Sequence, residues 1–205
     1  MQTSPPKFDA TKTALLEAAK SVLLAEGYSG LSTRAIAAAA DTQMSQIRYH
    51  FGSKEGMVLA LYEYMTRQLL DRQSDLFTDR TLSISQKWDI ACDYLDADIE
   101  SGYVRVFQEL LAQGWSNPNI AREVTASLSP WYDLHLTLVR EFQETCGSLG
   151  PLEAEDIAAL ISPAFVGVEA LILLGWEEKG IPLRRALRRF GNVIRYFETI
   201  KKGEI

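Results

Sequence analysis

The sequence has little cysteine. Its 205 residues include two cysteines, Cys92 and Cys146, which lie far apart and form no CxxC pair. This scarcity argues against a disulfide scaffold and against a thiolate metal site, and it fits a protein of the reducing cytoplasm. We therefore expect neither a bound metal ion nor a disulfide framework.

The common motifs of enzymes are also missing. The chain contains no GxSxG elbow, GxGxxG loop, P-loop or HExxH sequence, and it has only two histidines, His50 and His135. An acidic cluster around Asp93, Asp96 and Asp98 would spread over several faces of a helix, which favours a solvated surface over a catalytic pair. We expect no enzymatic activity and no cofactor, and a helical enzyme remains the lesser alternative.

An export signal and an uninterrupted membrane span are missing as well. Residues 1–9 contain no apolar core of a signal peptide. The longest apolar run, residues 158–176, is interrupted by Ser162, Pro163 and Glu169, so a buried helix of a soluble protein explains it better than a bilayer span. We expect a cytoplasmic protein that does not contact a membrane.

Basic residues are in the minority, and they are unevenly distributed. The net charge of −6 and the pI of about 5.1 argue against nucleic-acid binding along the whole chain. Residues 1–56, however, hold six basic and five acidic residues, whereas the remainder holds 15 basic and 22 acidic residues. An anionic partner is therefore expected near the N-terminus.

What the sequence does contain is helical periodicity along nearly its whole length. Apolar residues recur at helical spacing, and alternation with a period of two is scarce. We predict an all-α protein of about nine helices, with three in an N-terminal domain over residues 1–55 and the others in a larger domain over residues 56–205. Asp9, Ser32 and Ser53 are placed to cap the first, second and fourth helices.

The N-terminal helices follow a recognisable pattern, in which two short helices joined by a tight turn come after a supporting first helix. Residues 31–57, LSTRAIAAAADTQMSQIRYHFGSKEGM, resemble the DNA-binding segment of the TetR family, the tetracycline-repressor-like regulators. The resemblance is carried by a Thr-Arg pair, small apolar residues, an aromatic-His-Phe sequence and a Ser-Lys-Glu sequence: Thr33, Arg34, Ile36, Ala37, Ala40, Tyr49, His50, Phe51, Ser53, Lys54 and Glu55.

The turn and the third helix depart from the family pattern in three places. The turn has Asp41 and Thr42 in place of Gly-Val, and aspartate tolerates the left-handed conformation that such a turn needs. Gln43 replaces the usual serine cap, and Arg48 replaces a frequent aromatic residue. These changes preserve the expected fold and leave the base preference undefined.

The resemblance implies a ligand-responsive regulator, most often a repressor, that binds a pseudo-palindromic operator in double-stranded DNA as a homodimer. The alternative is a helical ligand-binding or interaction protein without DNA binding. Glutamine can bond an adenine edge twice and methionine can touch a thymine methyl, whereas tyrosine, histidine and lysine suit phosphate oxygens. The predicted DNA-binding residues are Thr33, Arg34, Gln43, Met44, Ser45, Gln46, Arg48, Tyr49, His50 and Lys54. The alternatives are that Tyr49 and His50 form a packed corner between helices, and that Gln43 and Gln46 are ordinary solvated residues.

The last two predicted helices each have an apolar face, and in the resembled family this pair of helices meets its copy in a four-helix interface. The predicted dimer residues are Val168, Ile172, Trp176, Phe190, Ile194 and Phe197. Such an interface should be apolar and bury more than about 1,000 Å². The alternative is that both faces pack inside one protomer.

A protein that switches on DNA also needs a second site, and ligand cavities are mostly apolar with a few polar groups. The predicted pocket residues are Trp88, Cys92, Tyr103, Phe107, Glu109, Leu111, Trp131, Phe142, Phe165 and Glu169. Since an unpaired buried carboxylate is costly, Glu169 needs a partner from the final helix, such as Arg195, or from a ligand. We expect a mainly apolar or aromatic inducer, cationic in preference to anionic; plain core packing is the alternative.

Overall fold

The computed structural model of the protein describes residues 10–202, with side chains described for residues 10–200. The described residues form nine α-helices and one short 3₁₀ helix, so the predicted all-α fold is confirmed. Asp9, the expected cap of the first helix, lies outside the described residues. The α-helices are α1 (Ala10–Gly30), α2 (Thr33–Ala39), α3 (Met44–Phe51), α4 (Lys54–Thr78), α5 (Ile84–Ser101), α6 (Tyr103–Gly114), α7 (Pro118–Cys146), α8 (Ala154–Leu173) and α9 (Leu183–Lys202), and the 3₁₀ helix (Trp176–Lys179) precedes α9.

Serine side chains begin two of the N-terminal helices at the expected positions. The Ser32 hydroxyl accepts a hydrogen bond from the Ala35 N–H at 3.1 Å, and the Ser53 hydroxyl accepts one from the Gly56 N–H at 2.9 Å. Each such cap stabilises a helix by about 1 kcal/mol because it satisfies a backbone N–H that has no partner inside the helix. The caps thereby set where α2 and α4 begin.

The N-terminal helices share one apolar core with α6 and the first part of α7. Fully buried members of this core come from every one of these helices: Leu15, Leu23, Ile36, Ile47, Met57, Leu61, Val106, Leu110 and Ile120. The helix-turn-helix segment is therefore packed directly against the larger helical part. A movement of α6 or α7 would change the surface on which α1 and α4 rest.

A second core lies among the C-terminal half of α4 and helices α5, α7, α8 and α9. Its buried members include Phe77, Trp88, Cys92, Phe142, Phe165 and Ile194. The indole N–H of Trp88 donates to the Leu187 carbonyl at 2.7 Å, which holds α9 against α5. Buried Glu198 accepts hydrogen bonds from the Ile84 N–H at 2.8 Å and from the Ser85 hydroxyl at 2.6 Å.

The acidic residues of α5, apart from the exposed Glu100, pair with neighbouring helices, which differs from the solvated surface expected from their spacing. Four ion pairs join α5 to α9 among the described residues: Asp96–Arg184 at 2.8 Å, Asp93–Arg188 at 2.7 Å, Asp96–Arg188 at 2.7 Å and Asp89–Arg195 at 2.7 Å. Asp98 turns the other way and pairs with Arg72 of α4 at 2.7 Å. Because the pairs to α9 are partly exposed, each contributes about 1 kcal/mol or less, and together they set the register between the two helices.

Candidate functional site

Helices α2 and α3 form a helix-turn-helix that is anchored from its inner side. Ile36 on α2 and Ile47 on α3 are fully buried in the N-terminal core. Between the helices Asp41 has a φ of 48°, and it is the one non-glycine residue with positive φ in the described part of the chain. Aspartate occupies this left-handed position at low cost, so the turn predicted at Asp41 forms without the family's glycine.

The residues expected to contact DNA lie mostly on the outer face of this unit. Tyr49 is 82% exposed and Met44 is 54% exposed, so a packed corner does not describe Tyr49. His50 is partly exposed, and the ring of Tyr49 meets it edge-on at a centroid distance of 4.9 Å. Of the remaining residues, Arg34, Gln43, Ser45 and Arg48 are exposed, and Thr33 and Gln46 are partly exposed.

The basic residues on this face differ in how they are held. The Lys54 ammonium donates to the Tyr28 carbonyl at 3.2 Å and lies 4.7 Å from the centroid of the Tyr28 ring. A phosphate must therefore compete with Tyr28 for Lys54. Arg34 and Arg48 are exposed, and no ion pair holds either of them within the described part of the chain. Their charges are available to an anion.

A cavity of about 50 Å³ lies among α4, α5, α6, α7 and α8. Its walls include three nearly parallel aromatic rings, Tyr62, Tyr103 and Phe107, whose centroids lie in a triangle at distances of 6.2 to 6.3 Å from one another. The Tyr62 hydroxyl is hydrogen-bonded to the Ser127 hydroxyl, which ties α4 to α7 at the edge of the cavity. The site is narrow, so a medium-sized molecule can enter only if the lining helices separate.

The structure brings five of the ten predicted pocket residues to this cavity: Tyr103, Phe107, Trp131, Phe165 and Glu169. Trp88 and Phe142 instead line a separate apolar groove among α5, α7, α8 and α9, and Cys92 is buried in the second core. Leu111 packs against the N-terminal core. Glu109 faces α1, where its carboxylate lies 3.5 Å from the position that a Cβ on Gly27 would take.

The cavity also contains polar residues that were not among the predicted pocket residues. These are Tyr62, Thr66 and Gln73 from α4, Asp98 from α5, and Ser127 and His135 from α7. The His135 Nδ1 lies 2.8 Å from the Ser162 hydroxyl, and burial lowers the pKa of His135 to about 4, so its ring is neutral at physiological pH. No motif marks these residues, because each lies within an ordinary helical stripe.

Glu169 is the unpaired acid of the cavity. Burial, with a smaller contribution from the nearby Asp98 carboxylate, raises the pKa of Glu169 to about 8. The expected partner Arg195 points elsewhere, since its guanidinium donates to Asp89 at 2.7 Å and to Asn192 at 2.8 Å. Within residues 10–200 the Glu169 carboxyl has no hydrogen bond or ion pair.

Helices α8 and α9 expose an apolar face on the protomer surface. Helix α8 has 20 residues and is long and apolar enough to cross a bilayer, yet most of its apolar stretch is not buried inside the protomer. The expected buried helix is therefore largely uncovered in one protomer. The exposed apolar residues of α8, the 3₁₀ helix and α9 are Leu160, Leu173, Leu174, Trp176, Phe190, Val193, Tyr196, Phe197 and Ile200.

The predicted dimer residues divide between this exposed face and the interior. Trp176, Phe190 and Phe197 are exposed on it. Ile172 and Ile194 are buried inside the protomer, so they have little surface to offer a second copy. Val168 is partly buried.

Comparison with known proteins agrees with this geometry. Residues 15–61 match the family model of bacterial regulatory proteins of the tetR family. The chain superposes on FadR from Bacillus subtilis, solved in complex with stearoyl-CoA, with a TM-score of 0.72, 13% sequence identity, and coverage of 89% of this chain and 96% of that one. No curated protein matches the sequence significantly.

Two further solved structures share the fold at higher sequence identity. A putative transcriptional regulator from Saccharomonospora viridis, in complex with choline, has a TM-score of 0.71 and 22% identity, covering 88% of this chain and 93% of that one. A TetR transcriptional regulator from Legionella pneumophila has a TM-score of 0.67 and 22% identity, covering 91% and 98%. The N-terminal segment thus matches the model of the tetR family of bacterial regulatory proteins, as the resemblance predicts, and the chain as a whole shares its fold with these solved structures.

Proposed function

We propose that the protein is a DNA-binding transcriptional regulator, a repressor that a small, mainly apolar or aromatic molecule releases from its operator. The observation that carries the proposal is the outer face of α3, where residues suited to bases and phosphates stand exposed on a helix anchored by Ile47. We assign residues 1–55 to DNA recognition and residues 56–205 to ligand binding and dimerisation.

The N-terminal end of α3 enters the major groove and reads base edges. Gln43 and Gln46 can each make two hydrogen bonds to an adenine, and the exposed Met44 can contact a thymine methyl. Arg48 and Tyr49 contact the phosphates of the same half-site, and Arg34 contacts the opposite strand from α2. The overall negative charge of the chain then confines DNA to this one surface.

Helix α4 connects the two functions. It begins next to the recognition helix at Lys54, and its middle part lines the ligand cavity through Tyr62, Thr66 and Gln73. At its first turn the Glu55 carboxylate accepts a hydrogen bond from the Asn117 side chain at 2.8 Å, at the start of α7. A ligand that moves α4 against α7 therefore moves the recognition helix, provided that it binds the DNA-free form more tightly.

The protein acts as a homodimer through the exposed apolar face of α8 and α9. This face needs a cover, because a soluble protomer rarely exposes so many large apolar side chains together. A second copy provides a two-fold symmetric cover and places two recognition helices on one DNA duplex. The operator is then a pseudo-palindrome with half-sites one helical turn or more apart.

Replacing Gln46 with alanine is expected to relax base preference at one position of each half-site. The lost contact contributes about 1–3 kcal/mol of discrimination. Tyr49→Phe and Lys54→Ala are expected to weaken binding to the operator and to random duplexes by similar factors, since phosphate contacts do not depend on sequence. The measurement is a binding profile over single-base operator variants, with the operator selected from random duplex DNA.

Gln68→Ala, an exposed position of α4 away from α3, serves as the control and should leave the profile unchanged. An unchanged profile for Gln46→Ala would refute the assigned orientation of α3. If the protein binds no duplex, or if its affinity for DNA does not fall steeply with salt, a helical ligand-binding protein without DNA binding is favoured instead.

A further inference from the structure

The cavity has unused hydrogen-bond acceptors, which points to the chemistry of its ligand; this inference rests on the proposed function. We propose that the cavity binds the protonated head of a small primary or secondary amine. The Glu169 carboxylate and the Gln73 side-chain carbonyl are its acceptors, and the rings of Tyr62, Tyr103 and Phe107 lie beside its carbon chain.

Two acceptors in the lining lack donors. The Gln73 Oε1 atom is buried without a hydrogen-bond partner, and the Glu169 carboxyl has none within the described residues. Both residues line the same cavity, from α4 and α8. A buried acceptor without a donor costs about 1–3 kcal/mol, and an ionised one costs more. A ligand carrying N–H groups removes this cost at Gln73 and gives the Glu169 carboxylate a donor and a counter-charge.

The charged groups around the cavity leave one negative charge unbalanced when Glu169 is ionised. Asp98 is already compensated, because one Arg72 nitrogen donates to both of its carboxylate oxygens at 2.8 and 2.7 Å. His135 is neutral, since burial lowers its pKa to about 4. Burial raises the pKa of Tyr62 and of Tyr103, so both hydroxyls stay protonated. A monocation therefore balances the site, and an anion is repelled.

The aromatic walls and the approach to the cavity favour the same ligand. The faces of aromatic rings attract cations. A tyrosine hydroxyl lies at the edge of the ring and does not cover its face. The cavity shares Tyr62, Thr66, Leu70 and Ser127 with an outer cleft between α4 and α7. This cleft has three carboxylates, on Glu63, Asp71 and Glu123, and one guanidinium, on Arg67. A cation approaching between these helices is attracted before it reaches Glu169.

The proposal predicts that amine binding expels a proton. At pH 7 the Glu169 carboxyl, with a pKa of about 8, is mostly protonated, whereas the amine, with a pKa near 10, is charged. Binding ionises Glu169 and so releases about one proton per amine. The association constant is expected to rise about tenfold from pH 6 to pH 7 and to level off above pH 8.

The test is titration calorimetry of the full chain without DNA. The probes are n-propylamine to n-hexylamine and 2-phenylethylamine, with the matching alcohols, N-trimethylated amines and carboxylates. At pH 8 at least one amine should bind about tenfold more tightly than its alcohol, because hydrogen bonds between charged groups contribute more than hydrogen bonds between neutral groups. The same amine should also bind more tightly than its trimethylated form, which has no N–H. Titrations at pH 7 in buffers of different ionisation enthalpy report the released proton.

Two variants identify the acceptors. Glu169→Gln should remove the preference for amine over alcohol, the proton release and the pH dependence together. Gln73→Leu should reduce the preference for the amine over its trimethylated form. Glu100→Gln, the same type of change as Glu169→Gln on an exposed residue of α5, should behave like the wild type.

Binding by no amine in the series, or equal binding by the alcohols, overturns the inference. Amine binding that survives in Glu169→Gln overturns it too. These results are distinct from failure of the proposed function. A protein that binds amines but no DNA is not a repressor, whereas operator release by a neutral or anionic molecule upholds the regulator and refutes the amine.

Discussion

Replacing Lys87 with methionine is expected to lower the free energy of unfolding by about 3–5 kcal/mol. Lys87 is fully buried, and its ammonium donates to the Glu141 carboxylate at 2.7 Å and to the Phe77 carbonyl at 3.1 Å. Removing the ammonium leaves a buried carboxylate without a counter-charge. Since folded domains are stable by only about 5–15 kcal/mol, this loss is a large share of the total.

The measurement is urea unfolding at one fixed protomer concentration, because the stability of a dimer depends on concentration. The double variant Lys87→Met/Glu141→Leu should recover most of the loss, since both buried charges are then gone. Arg67→Met removes the ion pair to Glu63, which is also short at 2.6 Å but exposed, and should cost less than about 1 kcal/mol. Equal losses of unfolding free energy in Lys87→Met and Arg67→Met would contradict the claim that the burial of the Lys87–Glu141 pair makes its loss costly.

The helix boundaries were predictable because the signals that set them are local. Ser32 and Ser53 cap α2 and α4 from neighbouring sequence, and Asp41 takes the left-handed turn conformation between α2 and α3. Each of these features depends on a few adjacent residues and not on the rest of the fold. The outer face of α3 was predictable for a related reason, because the apolar Ile47 and Phe51 pack inward against the N-terminal core.

The inward faces of α8 and α9 were harder to predict because polar residues take part in them. On α9 the buried side includes Ile194 and Glu198, and Glu198 is inside because it caps the start of α5. When the buried side of a helix is chosen as its most apolar side, a buried side that contains a glutamate is missed. It therefore groups Ile194 with Phe190 and Phe197, which the structure leaves exposed.

Only half of the predicted pocket residues line the cavity, and the reason is similar. Its lining comes from five helices, and periodicity within one helix cannot say which aromatic stripe meets which. Glu109 and Glu169 have similar sequence surroundings, but α6 turns Glu109 toward α1, and α8 turns Glu169 into the cavity. Only the packing of the helices distinguishes the two carboxylates.

Replacing Val193 with aspartate is expected to leave the protein monomeric at micromolar concentration and to weaken operator binding at least about 100-fold. Val193 is 45% exposed and lies on the apolar side of α9, one helical turn from Phe190 and Phe197. In the proposed dimer its carboxylate would be buried against an apolar surface without a partner, which costs far more than the same charge in water. With the dimer lost, each recognition helix binds its half-site separately, and the gain from linking two sites disappears.

The control is Asn192→Asp, which places the same carboxylate one residue earlier on the helix, beside the Arg195 guanidinium. It should stay dimeric and bind the operator normally. Sedimentation gives the assembly state, titration of the selected operator gives the affinity, and circular dichroism verifies that both variants are folded. A dimeric Val193→Asp protein would rule out this face as the interface. A monomeric protein that still binds the full operator tightly would show that operator recognition does not need the dimer.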